Sequence, residues 1–183
     1  MAIRPIVTIP DPVLETPTEK VGEFDEEVKQ TIKDLLDTVK GARNPEGAGL
    51  AAPQIGVSKR ICIVRQYLPN PNFNAHEDDY LTKEHVLVNP KVISNSKETE
   101  IHFEGCLSIP NVYGQVERPR KIKVKALDEN GEPIRISASG FFALTIQHEI
   151  DHLDGILFTT KLTGAPVTED EFDQMIADGT DDL

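Results

Sequence analysis

The chain has 183 residues, 38% hydrophobic and 27% charged, the composition of one globular domain that buries about two-thirds of its unfolded surface without disulfides or a partner. Nineteen lysines and arginines against 31 acids give a net charge of −12, which argues against direct nucleic-acid binding, because nucleic acids are gripped by basic patches. No stretch approaches a membrane span, and Met1-Ala2-Ile3-Arg4-Pro5 lacks the apolar core of a signal peptide, so a cytoplasmic monomer with two reduced cysteines is expected.

Pro5, Pro10, Pro12 and Pro17 leave the first segment mostly extended and irregular, with room for a short strand at Ile6–Pro10. A helix is predicted from about Glu26 to Lys40. Val28, Ile32, Leu35, Leu36 and Val39 form one apolar stripe, Asp25 is the N-cap, Glu26 and Glu27 suit the positive end, and Gly41 closes it. Next comes Gly47-Ala48-Gly49-Leu50-Ala51-Ala52-Pro53-Gln54-Ile55-Gly56. Side chains this small let something approach the backbone closely, either a ligand chain or merely the rest of a Gly-rich turn. It lacks the Gly-Lys-Ser/Thr ending of a phosphate loop.

Lys59–Gln66 reads as a strand in which Cys62 is a small core hydrophobe. Tyr67–Glu84 reads as a loop. Val86–Val88 and Lys91–Ser94 are predicted as short strands broken by Asn89-Pro90, and Thr99–Phe103 extends towards Glu104-Gly105-Cys106-Leu107-Ser108. Lys121–Leu127 alternates as a strand, Asp128-Glu129-Asn130-Gly131 turns, and Ile134–Ile136 returns. Thr168-Glu169-Asp170-Glu171 is a capping box for a short helix to about Ala177, and Asp178–Leu183 is expected to fray. The expected organisation is a catalytic domain over residues 1–164 and an acidic tail over 165–183 that carries the short helix. The expected fold is α+β, with mostly antiparallel short sheets around a central buried helix.

That helix holds Gln147-His148-Glu149-Ile150-Asp151-His152-Leu153-Asp154-Gly155. His148 and His152 are four apart, one turn above each other on the same face, which is the spacing that grips one metal ion. Glu149 beside them is suited to take a proton from water activated by such an ion. Phe141, Leu144, Ile146, Ile150 and Leu153 make the helix apolar nearly all round, which predicts burial.

A catalytic site of this kind needs a third protein ligand. Phe158 stands where one protease pattern places a further histidine, and the only downstream glutamates are Glu169 and Glu171 in the acidic tail. Cys106 is the better candidate on chemistry, since one thiolate and two imidazoles leave the fourth position open. A zincin-type endopeptidase using Glu169 or Glu171, and a non-catalytic peptide-binding metal domain, are the competing readings.

Taken together and in order, Gly47–Gln54, Glu104–Ser108 and Gln147–His152 resemble the three motifs of bacterial peptide deformylases, with the likeness running from about Ile6 to Leu162. The resemblance implies a hydrolase that removes the N-formyl group from formylmethionyl nascent polypeptides. It implies that Cys106, His148 and His152 hold Fe²⁺, replaceable by Zn²⁺, Ni²⁺ or Co²⁺, and that Glu149 acts as base and then acid. Gln54 and the backbone N–H of Leu107 would stabilise the oxyanion, and Gly49 would pair with the substrate backbone. Leu144 and Phe141, one and two helical turns before His148 on its face, are candidates to line the methionine pocket, where the resemblance also puts Ala48, and Glu104 with Arg118 would brace the cysteine loop. His102 stands where family members often carry an apolar pocket residue, and it is expected at an edge facing solvent. Some relatives dock on the ribosome through a basic C-terminal helix. The acidic tail matches that poorly, so any ribosome contact is expected to be transient.

Overall fold

The computed structural model describes residues 3–41, 47–69 and 80–179. The proline-rich start is irregular, as its composition predicts, and is tied down by two backbone bonds, Val7 N–H to Gln54 O and Ile9 N–H to Ser108 O. Helix α1 spans Glu26–Gly41, with the Asp25 carboxylate accepting from Val28 N–H at 2.9 Å. Val28, Ile32, Leu35 and Val39 are buried on one stripe.

Strands β1 (Gly49–Ala51), β2 (Ile61–Leu68), β3 (Leu81–Asn95), β6 (Lys121–Leu127) and β7 (Pro133–Ser139) form one antiparallel sheet in the order β1-β2-β3-β6-β7. Strands β4 (Thr99–Cys106) and β5 (Ile109–Pro119) form a separate two-stranded sheet. Two expectations are corrected here. Tyr67 and Leu68 belong to β2 and Leu81–Glu84 to β3, so the segment read as a loop contributes to a paired hairpin; residues 70–79 lie outside the described residues. Asn89-Pro90 does not end a strand, because Asn89 adopts φ 53° and the chain bulges there while β3 continues to Asn95. Strand β5 had no counterpart among the predicted elements.

Alternation along β2 divides the core. Ile61 and Ile63 point to α1, while Cys62 and Val64 point to helix α2 (Gly140–Leu153) on the opposite face. There Ala143, Ile146, Ile150 and Leu153 pack against Leu87, Ile122 and Val124. Each fully buried aliphatic side chain contributes about 1.5–3 kcal/mol. The β4–β5 hairpin lies beside α2, with Ile109 and Val116 closing a third cluster on Leu14, Leu157 and Phe158.

Helix α2 is therefore central, as predicted, but it is not buried throughout: Phe141 in its first turn is 58% exposed. Asp154 caps the helix, and Gly155 follows at φ 71°. A Cβ on Gly155 would lie 2.8 Å from backbone atoms of Glu15 and Thr16, so both conformation and space demand glycine. Helix α3 (Glu169–Ala177) begins at the predicted Thr168–Glu171 capping box. The preceding Val167 exchanges backbone bonds with Tyr113, and Phe172 stacks on the Tyr113 ring at 4.5 Å. Of the segment expected to fray, Asp178 caps α3 and residues 180–183 lie outside the described residues. Among the described residues no helix is long and apolar enough to cross a membrane.

Candidate active site

Three elements converge on α2: the 3₁₀ turn Ala52–Ile55 after β1, the end of β4, and the turn Leu107-Ser108 that leads into β5. Ligand atoms of Cys106, His148 and His152 all lie within 4.8 Å of one another, and among the described residues they are the group that would hold a metal ion. Cys106 Sγ is 3.1 Å from His152 Nε2. Glu169 and Glu171 are not part of this group; Glu171 is engaged in capping α3, which removes the tail-glutamate alternative for the third ligand.

His148 is held from behind. The His148 Nδ1–Glu104 Oε2 distance of 2.8 Å directs the ring's Nε2 away from Glu104. Arg118 forks onto both oxygens of Glu104, and its Nη1 donates to Asp151 Oδ2 at 2.8 Å. Lys161 Nζ closes the chain on Asp151 at 2.7 Å. The Glu104–Arg118 brace is thus present, and Asp151 and Lys161, which sequence reasoning left out of the site, extend it. Asp151 stands beside the ligands in the Gln147–His152 motif, where its position alone leaves its role open, and no sequence signal marks Lys161.

Charge is distributed unequally over the two carboxylates. Burial alone would raise the Glu104 carboxyl, but hydrogen bonds from Arg118 and His148 hold it down at about 2. Glu149 lacks such donors. Burial pushes it up to about 7, with the His148 charge opposing and the Glu104 charge assisting. Its Oε2 has no hydrogen-bond partner among the described residues. Burial lowers the His152 imidazole well below its usual range, which keeps it neutral and able to donate a lone pair; its Nδ1 is likewise buried without a partner. A thiol, two imidazoles and a poised, unpartnered carboxyl fit a divalent cation with one open position.

The Gly-rich segment joins the same site. Gln54 is buried, its Oε1 accepts from Ala51 N–H at 2.8 Å, and this fixes its amide so that Nε2 points at Cys106 Sγ (3.6 Å) and Ser108 Oγ (3.3 Å). Ser108, the last residue of the Glu104–Ser108 motif, is fully buried and neighbours the site, a role the motif alone did not assign it. A Cβ on Gly49 would lie 2.5 Å from Glu149 Oε1, so glycine lets the carboxyl lie against strand β1. Arg65 N–H bonds to Ala48 O at 2.7 Å, so by antiparallel alternation the next pair, Gly49 opposite Val64, leaves the Gly49 N–H and C=O turned from β2 towards the sheet's open edge.

Leu144 is buried one turn before His148, whereas Phe141, a turn earlier, leans outward on the Tyr67 ring at 5.9 Å. His102 corrects an expectation. Its side chain is only 15% exposed and does not face solvent, because β4 turns residues 102, 104 and 106 to one side; its Nε2 is 3.5 Å from Glu100.

A family model described as polypeptide deformylase matches residues 3–166. The chain is 43% identical to peptide deformylase 1 of Bacillus subtilis over 96% of its length and 99% of that protein. It is 42% identical to the peptide deformylase of Aquifex aeolicus over 88% of this chain and 89% of that one. The Met-Ala-Ser-bound peptide deformylase of Acinetobacter baumannii superposes with a TM-score of 0.76 at 35% identity, covering 88% of this chain and 99% of that one. The actinonin complex from Ehrlichia chaffeensis gives 0.76 at 32%, with both chains covered fully. The chain belongs to the polypeptide deformylase family, the metal-dependent hydrolases that remove the N-formyl group from nascent polypeptides.

Proposed function

We propose that Cys106, His148 and His152 hold Fe²⁺, with Zn²⁺, Ni²⁺ or Co²⁺ as replacements, and that formylmethionyl peptides are deformylated there. The observation that carries this is the convergence of those three donors with Glu149 and Gln54 at one point between α2 and the end of β4. When bound, the ion supplies Lewis acidity, making a nucleophile available from water near neutral pH.

The chain's own residues do the rest. Glu149, with a carboxyl near 7, accepts the proton of the attacking water and returns it to the departing amine. Gln54 Nε2 and the Leu107 N–H donate to the oxygen that becomes negative as the formyl carbon turns tetrahedral. The open-edge N–H and C=O of Gly49 take the peptide as an added strand. Ala48, Leu144 and Phe141 border the methionine side chain, with the exposed Phe141 at the rim. Two free thiols support a reducing, cytoplasmic setting, and the enzyme acts there as a monomer that meets the ribosome transiently. Residues 1–164 act as the catalytic unit, with 165–183 a tail docked through Phe172.

The test is formate release from formyl-Met-Ala-Ser by protein prepared without oxygen and loaded in parallel with Fe²⁺, Ni²⁺ and Zn²⁺. Turnover that disappears in Glu149→Ala while the metal stays bound is the expected result. Full activity in that variant would remove Glu149 from the role given to it.

A further inference from the structure

On the face away from α2, no described element covers the sheet beyond Asn89 of β3 or over β6 and β7 short of Leu127. Helix α1 covers β1 and β2 together with Val86 and Val88 of β3. Ile122, Val124 and Ala126 point to α2, so by alternation Lys121, Lys123 and Lys125 point the opposite way. Register sets their neighbours. Lys125 lies opposite Lys91 on β3 and Arg135 on β7, Lys123 opposite Ser94 and Ser137, and Lys121 opposite Ser139. These eight positions hold five cations, three serines and no carboxylate. All five cations are exposed, and among the described residues none makes an ion pair. The acids Asp128, Glu129 and Glu132 are confined to the β6–β7 turn at one end.

Such a face is costly to keep bare, because like charges opposite one another in a ladder repel, as in the Lys91–Lys125–Arg135 row. The cations repeat at about 6.7 Å along β6 and about 4.8 Å across the strands, a lattice suited to many negative charges at once. A depression of about 420 Å³ lies at its Lys121 end, lined by Ser94, Lys121, Lys123 and Ser137 together with Ile122 and Ala138 of the alternate row. A protein partner would require an apolar or aromatic centre, and the nearest exposed apolar residue is Ile93 at a bulge. With no aromatic ring to stack bases, the face suits helical backbone, and its serines suit ribose hydroxyls. The whole-chain charge of −12 conceals this segregation.

We infer that the β3–β6–β7 face binds the phosphate backbone of double-helical RNA without sequence preference. Because α2 and its histidines lie beyond the opposite face of the sheet, an RNA held here leaves the active site open. The test is fluorescence anisotropy of a labelled RNA duplex of about 20 base pairs against the metal-loaded protein over a KCl series. At about 0.9 per phosphate, five contacts predict a slope of log K against log salt of about −4.5, and the Lys123→Ser/Lys125→Ser/Arg135→Ser variant should fall to about −2 with at least tenfold weaker binding. Its formate release should match the parent, which reports that it is folded. Absence of binding at low salt, or binding unaffected by the three substitutions, overturns the inference. So does displacement of the RNA by poly-glutamate at equal charge, which would assign the face to an acidic polypeptide.

Discussion

Glu149→Gln should stabilise the metal-free protein at pH 8 relative to pH 5. The Glu149 carboxyl is 3% exposed and is pushed from 4.5 up to about 7 by burial. Below pH 4.5 the folded and unfolded chains both hold this proton, so the group contributes nothing. Between 4.5 and 7 the unfolded chain releases it and the folded chain does not, so folding loses about 1.4 kcal/mol for each pH step. Above 7 the loss is complete at about 3 kcal/mol. Glutamine carries no proton to lose, and any cost of burying its amide is the same at both pH values. Urea unfolding of chelator-treated parent and variant at pH 5 and pH 8 reads the difference directly. The stability of the variant minus that of the parent should grow by about 2–3 kcal/mol across that range. A difference that stays flat, or shrinks as pH rises, would refute the view that Glu149 is a desolvated carboxyl without a compensating donor.

Gly49→Ala places a Cβ 2.5–2.9 Å from Glu149 Oε1, Cγ and Cδ, and should lower kcat/KM about a hundredfold with metal content unchanged, measured by formate release and metal analysis. Arg118→Ala leaves Glu104 and Asp151 buried without their shared cation, at a cost of about 3–5 kcal/mol, so Tm should fall by about 10 °C. Cys106→Ser should release metal in dialysis against a chelator that the parent withstands, and equal retention would point to a different third ligand. Gly155→Ala must strain φ 71° and push on the backbone of Glu15 and Thr16, and a calorimetric Tm equal to the parent's would contradict that account.

What could be read in the sequence is what depends on neighbours along the chain. The α1 stripe, the Thr168 capping box, the β6–turn–β7 hairpin and the His148/His152 spacing each follow from local periodicity, and the structure has all four. Cys106 was reached by ligand chemistry. Strand β5 was missed because Ile109–Pro119 carries prolines at both ends and a central Gly114, and its pairing with β4 overrides that weak pattern. Asn89-Pro90 reads as a break because local rules do not register that a bulge carries a strand past it. The Asp151–Arg118–Glu104–His148 chain joins residues up to 47 positions apart, taking Glu104 and Asp151 as its ends, and sequence periodicity has no access to it.

That chain also explains how two carboxylates near the same ligands take opposite work. Glu104 and Glu149 are both buried, so burial raises both. The outcome turns on donors: Arg118 and His148 give Glu104 two sources of hydrogen bonds, whereas the Oε2 of Glu149 receives none. Glu104 therefore stays ionised at about 2, and a fixed negative charge is what orients His148. Glu149, near 7, is left free to exchange a proton close to neutral pH. Moving either donor away would let burial raise the Glu104 carboxyl as it raises Glu149, and the brace of Arg118 by Asp151 and Lys161 holds the guanidinium in place. A salt bridge on the far side of α2 from its apolar packing thus determines which carboxyl orients a ligand and which transfers the proton.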